Sequence, residues 1–148
     1  MVGDDAPCFV IAEAGVNHNG DVETALRLVD AASDAGADAV KFQTFQAGHL
    51  ASKDAPKAPY QLADGPQESQ AAMLERLELS PEAHQRLQAH CADRGLMFLS
   101  TPFDEASSDL LERLDVPAFK LGSGEVTNWP LLAHVARKGR PLILSTGM

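Results

Sequence analysis

Two hydrophobic rhythms alternate along this chain. In CFVIAEAG, Cys8 to Gly15, a period of two puts Phe9, Ile11 and Glu13 on one side and Val10, Ala12 and Ala14 on the other, as in a strand. NHNGD, Asn17 to Asp21, is turn chemistry, with Asp21 placed to cap a helix. Ala25, Leu28, Val29 and Ala32 then recur at helical spacing, and Gly36 suits the helix end. AVKFQTF, Ala39 to Phe45, returns to period two, with Lys41 and Gln43 on one face and Val40, Phe42 and Thr44 on the other. No period fits Gln46 to Gln67, which holds three prolines and two glycines. A loop of that length inside a compact domain is functional or disordered.

Beyond it, Glu68 to Leu77 reads as a short helix with Ala72, Leu74 and Leu77 partly buried. Ser80-Pro81 starts another that runs to about Gly95. Leu96 to Phe103 is a third strand, and Asp104 caps a helix that buries Leu110, Leu111 and Leu114. Ala118 to Leu121 is a fourth strand, running into the loop GSGE. Asn128 opens a helix with Leu131, Leu132, Val135 and Ala136 inside, and Pro141 to Met148 is a fifth strand. Trp129 is expected to pack between helix and sheet.

Strand–helix alternation at these spacings means a parallel sheet with right-handed crossovers. It closes either as an open doubly wound sheet or as a (β/α)8 TIM barrel. No GxGxxG follows the first strand, which weakens the dinucleotide-binding version. Glu13, Lys41, Gln43 and Lys120 are polar residues within strands, and a barrel gathers such residues around one mouth. The fold expected is therefore a TIM barrel, here about its first five strands and four helices. A full barrel takes about 250 residues. Residues 1–148 are accordingly expected to be the N-terminal part of a longer barrel.

Composition narrows the partners. A formal net charge of -9 without a basic run argues against nucleic acid. No apolar run approaches the roughly 20 residues of a membrane helix. MVGDDAPCFV lacks the apolar core of a secretory signal, so a cytoplasmic protein is expected. Cys8 and Cys91 form no CxxC and read as reduced core thiols.

Candidate chemistry clusters at strand exits, the end of a parallel α/β fold where ligands bind. Lys41 and Lys120 lie inside strands, where a buried ammonium needs a counter-charge. Either they form internal ion pairs with Glu13, or they meet a ligand carrying several negative charges. Ser100-Thr101, Ser123 and Ser145-Thr146 leave three consecutive strands, and hydroxyls and backbone N–H groups there commonly hold phosphate. Glu13 and Glu125 are carboxylates at strand exits that could move a proton. For Glu125 a helix-start acid is the equal alternative, and Asn128 and Asp104 read as plain caps. His18 could touch substrate or only shape its turn. His84, His90 and His134 read as surface or satisfied histidines, and no pair has metal-ligand spacing.

IAEAGVNHNGD, VKFQT, LSTPFD, FKLGSGE and LSTGM, in this order, resemble the sialic acid synthase (N-acetylneuraminate synthase) family. That family includes legionaminic and pseudaminic acid synthases and spore-coat polysaccharide relatives. APKAPYQ followed by ESQ is similar to the bacterial synthases for nine-carbon sugars. The resemblance implies a TIM barrel followed by a small antifreeze-like domain, in a homodimer. It implies condensation of phosphoenolpyruvate with an N-acylated hexosamine such as N-acetylmannosamine, with release of phosphate. Lys41, Gln43, Thr101, Lys120, Ser123 and Ser145 would hold phosphoenolpyruvate. Glu13 and Glu125 would lie where the new bond forms, with Glu125 moving the proton. A divalent metal, Mn2+, would activate the sugar aldehyde, its ligands expected beyond Met148. Two rival readings stand beside this one: a class I aldolase with Lys41 or Lys120 as Schiff base, and a non-catalytic half-barrel.

Overall fold

The computed structural model describes residues 3–51 and 69–147. Five strands and six α-helices follow one another along these residues. β1 (Ile11–Gly15) leads into α1 (Val22–Asp34), and β2 (Ala39–Thr44) into the short α2 (Ala47–Leu50). α3 (Gln70–Leu77) and α4 (Pro81–Asp93) precede β3 (Met97–Pro102) and α5 (Glu105–Arg113). β4 (Phe119–Leu121) runs into a 3-10 turn, Ser123–Thr127, then α6 (Trp129–Ala136) and β5 (Leu142–Leu144).

Polar side chains start the helices where the sequence places them. Asp21 accepts from the Glu23 and Thr24 N–H groups, Ser80 from Ala83, and Asp104 from Ser107. Each satisfies donors that a helix start leaves free, a contribution of about 1 kcal/mol apiece. Gly36, at φ +74 just past α1, supplies the left-handed turn that ends it.

β1, β2 and β3 form a parallel sheet in that order, and β4 pairs in parallel with β5. The single continuous sheet expected from the alternation is thus split. β4 lies against β3 without a ladder between them. β4 is only three residues long, and Pro117, just before it, has no N–H to donate. β1 is shorter than expected because its entry pairs differently: Val10 N–H donates to the Asp38 carboxylate at 2.7 Å. β5 also stops short, and all three of its residues are exposed.

Burial separates the two faces of the sheet. Val29, Val40, Phe42, Leu87, Phe98 and Leu111 belong to one large cluster between strands and helices. Burying such side chains contributes roughly 1.5–3 kcal/mol each. On the other face Ala39, Leu99 and Ala118 form a small cluster with Phe9 and Ile11 against it. Strand alternation then places Glu13, Lys41, Gln43, Thr101 and Lys120 on this inner face, above the apolar layer.

Several expectations fail in detail. Trp129 is 74% exposed instead of packed on the sheet. It stands at the first position of α6, where side chains lean toward the helix N-terminus and past the sheet. Ala136 is exposed and Leu110 only half-buried. Cys91 is a buried free thiol, but Cys8 is exposed, because the strand begins after it. α2 occupies part of the stretch that showed no period. Residues 52–67 of that stretch, with the APKAPYQ motif, and Met148 lie outside the described residues.

Candidate active site at the strand ends

The site is built on the inner face at the carboxyl ends of β1, β2 and β4. Glu13 and Lys41 are register partners across β1 and β2, and their side chains form an ion pair. The Lys41 side chain is 12% exposed and that of Glu13 53% exposed. The carboxylate therefore supplies the counter-charge that a sunken ammonium requires. Lys120 Nζ donates to the Leu121 carbonyl at 2.8 Å. Burial pushes the Lys120 ammonium below its ordinary range, the charge of Lys41 pushes it further, and Glu13 opposes both. Glu13 is thus ion-paired with Lys41 and acts on Lys120 only through longer-range charge. The site carries surplus positive charge within a chain of net charge -9, which is what an anion would meet.

Gly15 shapes this corner. It sits at φ +54, after a register shift between Glu13 and Gly15. A Cβ there would stand 3.4 Å from Glu13 Oε1 and 3.7 Å from Gln43 Nε2. Both side chains therefore border Gly15. Thr101, buried, stands opposite Gln43 in the β2–β3 register. Glu13, Lys41, Gln43 and Lys120 are thereby brought together, with Thr101 on the adjoining strand.

Ser123, Glu125 and Ser145 occupy the exits of β4 and β5. Ser145 N–H donates to the Leu121 carbonyl at 3.1 Å, which extends the β4–β5 pairing one step past the strand. Ser123 and Ser145 are half-buried. Glu125 lies in the 3-10 turn, and Asn128 Nδ2 donates to its Oε2 at 2.7 Å. Asn128 also caps α6 through Oδ1. Its hold on Glu125 was not legible in the sequence, where Asn128 read as a plain cap. Among the described residues no hydrogen bond or ion pair joins Glu125 to either lysine.

Two sequence readings change here. Ser100, read with Thr101 as an exit hydroxyl, faces the helices and is fully buried. Adjacent strand residues point to opposite faces, so Ser100 and Thr101 could not share a site. His18 is 1% exposed, and its Nδ1 accepts from Gly20 N–H at 3.0 Å, so it shapes the NHNGD turn. Burial holds its imidazole below the usual range, nearby His84 adds to this, and Asp21 opposes. His49 Nδ1 stands 3.5 Å from Asp104 Oδ1. Burial pushes the Asp104 carboxyl up, but hydrogen bonds from Ser107, Gln46 and His49 bring it below its ordinary range. No three of His, Cys, Asp and Glu gather as metal ligands among the described residues. These residues do not form the divalent-metal site that the resemblance implies.

The parallel α/β strands thus carry a cluster of two lysines and one carboxylate toward their carboxyl ends, the end where ligands bind in such folds. Residues 28–148 match the NeuB family, and the chain belongs to that family. It is 53% identical over 147 residues to an N,N'-diacetyllegionaminic acid synthase of Legionella pneumophila, covering 99% of this chain and 41% of that protein. It is 51% identical over 141 residues to the synthase of the same name from Campylobacter jejuni, covering 95% and 42%. A crystal structure of an N-acetylneuraminic acid synthetase from Leptospira borgpetersenii, in complex with citrate, superposes with a TM-score of 0.82 at 29% identity. That superposition covers 100% of this chain and 49% of the other. The chain spans about two fifths of the length of the curated relatives it matches. No helix among the described residues is long and apolar enough to cross a membrane.

Proposed function

We propose that this chain supplies the phosphoenolpyruvate-binding part of a synthase that makes a nine-carbon sugar acid from an N-acylated hexosamine. The observation that carries the reading is the presence of two lysines on the inner face, Lys41 ion-paired with Glu13 and Lys120 bonded, among the described residues, only to a backbone carbonyl. Phosphoenolpyruvate bears a phosphate and a carboxylate, and two ammonium groups short of counter-charge match it. The names of the relatives support the same class. Gln43, Thr101, Ser123 and Ser145 add neutral donors around the lysines.

In the reaction, C3 of phosphoenolpyruvate forms a bond to the sugar aldehyde carbon. Water adds at C2, and the C2–O bond to phosphate breaks as the keto group forms. Lys41 and Lys120 hold the substrate and offset the charge that builds on the departing phosphate. Glu13 and Glu125 would move protons, Glu125 while held by the Asn128 amide. The divalent metal belongs to the proposal as the resemblance implies it, with ligands outside the described residues, and none of these steps is routed through it. A homodimer is proposed on the same ground.

One observation favours a second reading. A lysine whose pKa is depressed, as that of Lys120 is, is the form a Schiff-base aldolase needs. Borohydride with pyruvate distinguishes the two: the aldolase leaves a stable adduct on lysine, the synthase none. The direct test is calorimetric titration of phosphoenolpyruvate into the wild-type chain and Lys120→Met. Binding that falls about 100-fold in the variant is expected. Equal binding by both, or none by the wild type, overturns the reading. The 148-residue chain alone is expected to bind without steady phosphate release.

A further inference from the structure

Behind Gln43 and Thr101, on the helix-facing side of the sheet, lies a hydrogen-bonded chain that the proposed chemistry does not use. His84 Nδ1 stands 2.9 Å from the Ser80 carbonyl, and its Nε2 stands 2.8 Å from Thr44 Oγ1. Thr44 Oγ1 stands 2.7 Å from Ser100 Oγ. His84, Thr44 and Ser100 are all buried, at 1%, 3% and 0% exposure. A carbonyl only accepts, so His84 Nδ1 carries the hydrogen. Burial keeps the imidazole neutral, so Nε2 accepts from the Thr44 hydroxyl. Thr44 in turn accepts from Ser100. The direction of every bond is thereby determined.

The placement of this chain is informative. Thr44 follows Gln43 on β2, and Ser100 precedes Thr101 on β3. Gln43 and Thr101 are register partners. Each inner-face residue is thus the immediate neighbour of an outer-face hydroxyl in the chain. Through His84, the first turn of α4 is tied to both strands at that level. The backbone ladder already sets the register of β2 against β3, whereas apolar packing of a helix on a sheet is non-directional. The side-chain hydrogen bonds of defined direction therefore fix where α4 sits on both strands.

We propose that His84, acting through the Thr44 and Ser100 hydroxyls, is a positioning residue for the phosphoenolpyruvate contacts Gln43 and Thr101. This rests on the reading of the inner face as a phosphoenolpyruvate site. Thr44→Val keeps the shape and removes the link, leaving His84 bonded to Ser80. Thr44→Ser keeps the hydroxyl.

The test titrates phosphoenolpyruvate into the wild-type chain and each variant, with thermal melts alongside. Thr44→Val is expected to weaken binding about tenfold, and Thr44→Ser to restore it to within about threefold of wild type. Ser100→Ala, which cuts the chain from the other strand, is expected to weaken binding in the same direction and serves if Thr44→Val does not fold. The Gln43 side-chain amide signals should shift in Thr44→Val and return in Thr44→Ser, a change that a uniform loss of stability does not produce. Wild-type binding with unchanged affinity in Thr44→Val, or in Ser100→Ala, overturns the positioning role and leaves the substrate reading intact. Absence of wild-type binding overturns both.

Discussion

The two faces of the β2–β3 pair are made from alternate residues of the same twelve positions, yet they solve opposite problems. Outward, Val40, Phe42 and Phe98 join the main core, and the polar groups among them are paired. Inward, Lys41 is ion-paired with Glu13, and Lys120 lies below its ordinary range through burial and like charge. On the outer face Thr44, Ser100 and His84 satisfy one another, while among the described residues the buried His18 Nε2, beside Phe42, has no hydrogen-bond partner. The inner face is left with two lysines and one ion-paired carboxylate, which suits the anion proposed above. A fold can hold such a face because the other one supplies the stability.

The largest expected effect breaks the outer face. Phe42 is fully buried and stacks on Phe98 at a centroid distance of 6.0 Å. Phe42→Ala should cost about 3–5 kcal/mol, read as a lowered urea midpoint. Acid comes next. His18 and His84 are both held below 6.5, chiefly by burial. The unfolded chain therefore binds more protons than the folded one as pH falls past that value. Stability should be full above about 6.5 and drop below it, by up to about 1.4 kcal/mol per pH unit for each histidine. Urea midpoints measured at successive pH values check this, and His84→Leu should flatten the slope. The smallest stability effect is expected on the inner face. Lys41→Met removes a sunken ammonium, and the half-exposed Glu13 it leaves behind can turn to water. Unfolding free energy should change by less than about 1 kcal/mol, while phosphoenolpyruvate binding should collapse. A large stability loss in Lys41→Met would mean that the inner face is structural and would erase the contrast.

Outside these faces, the outer helices show a recurring device. His90 and Arg94 of α4 meet Asp30 of α1, and His134 with Lys138 meets Asp109 of α5. In both, a histidine and a basic residue four positions later straddle one carboxylate. Lys138 is pushed down by burial but raised overall by Asp109 and Glu112. Neither group lies on the inner face.

Much of this protein could be read in one dimension. Periodicity located the strands and most helices, because side-chain alternation and helical spacing are local consequences of backbone geometry. The same parity put Glu13, Lys41, Gln43 and Lys120 on strand positions that share a face, and the caps at Asp21, Ser80 and Asp104 were visible as single residues. What the chain's order alone did not decide is everything that depends on distant segments meeting. Whether Ser100 or Thr101 faced the site needed the phase of β3 relative to β2. That His84 was a satisfied buried histidine and not a surface one needed α4 docked on the sheet, 40 residues from Thr44. The pairing of Glu13 with Lys41 and not Lys120, the break between β3 and β4, and the exposure of Trp129 likewise came from packing. Electrostatics and burial act through space, and spacing along the chain records them only where the backbone is regular.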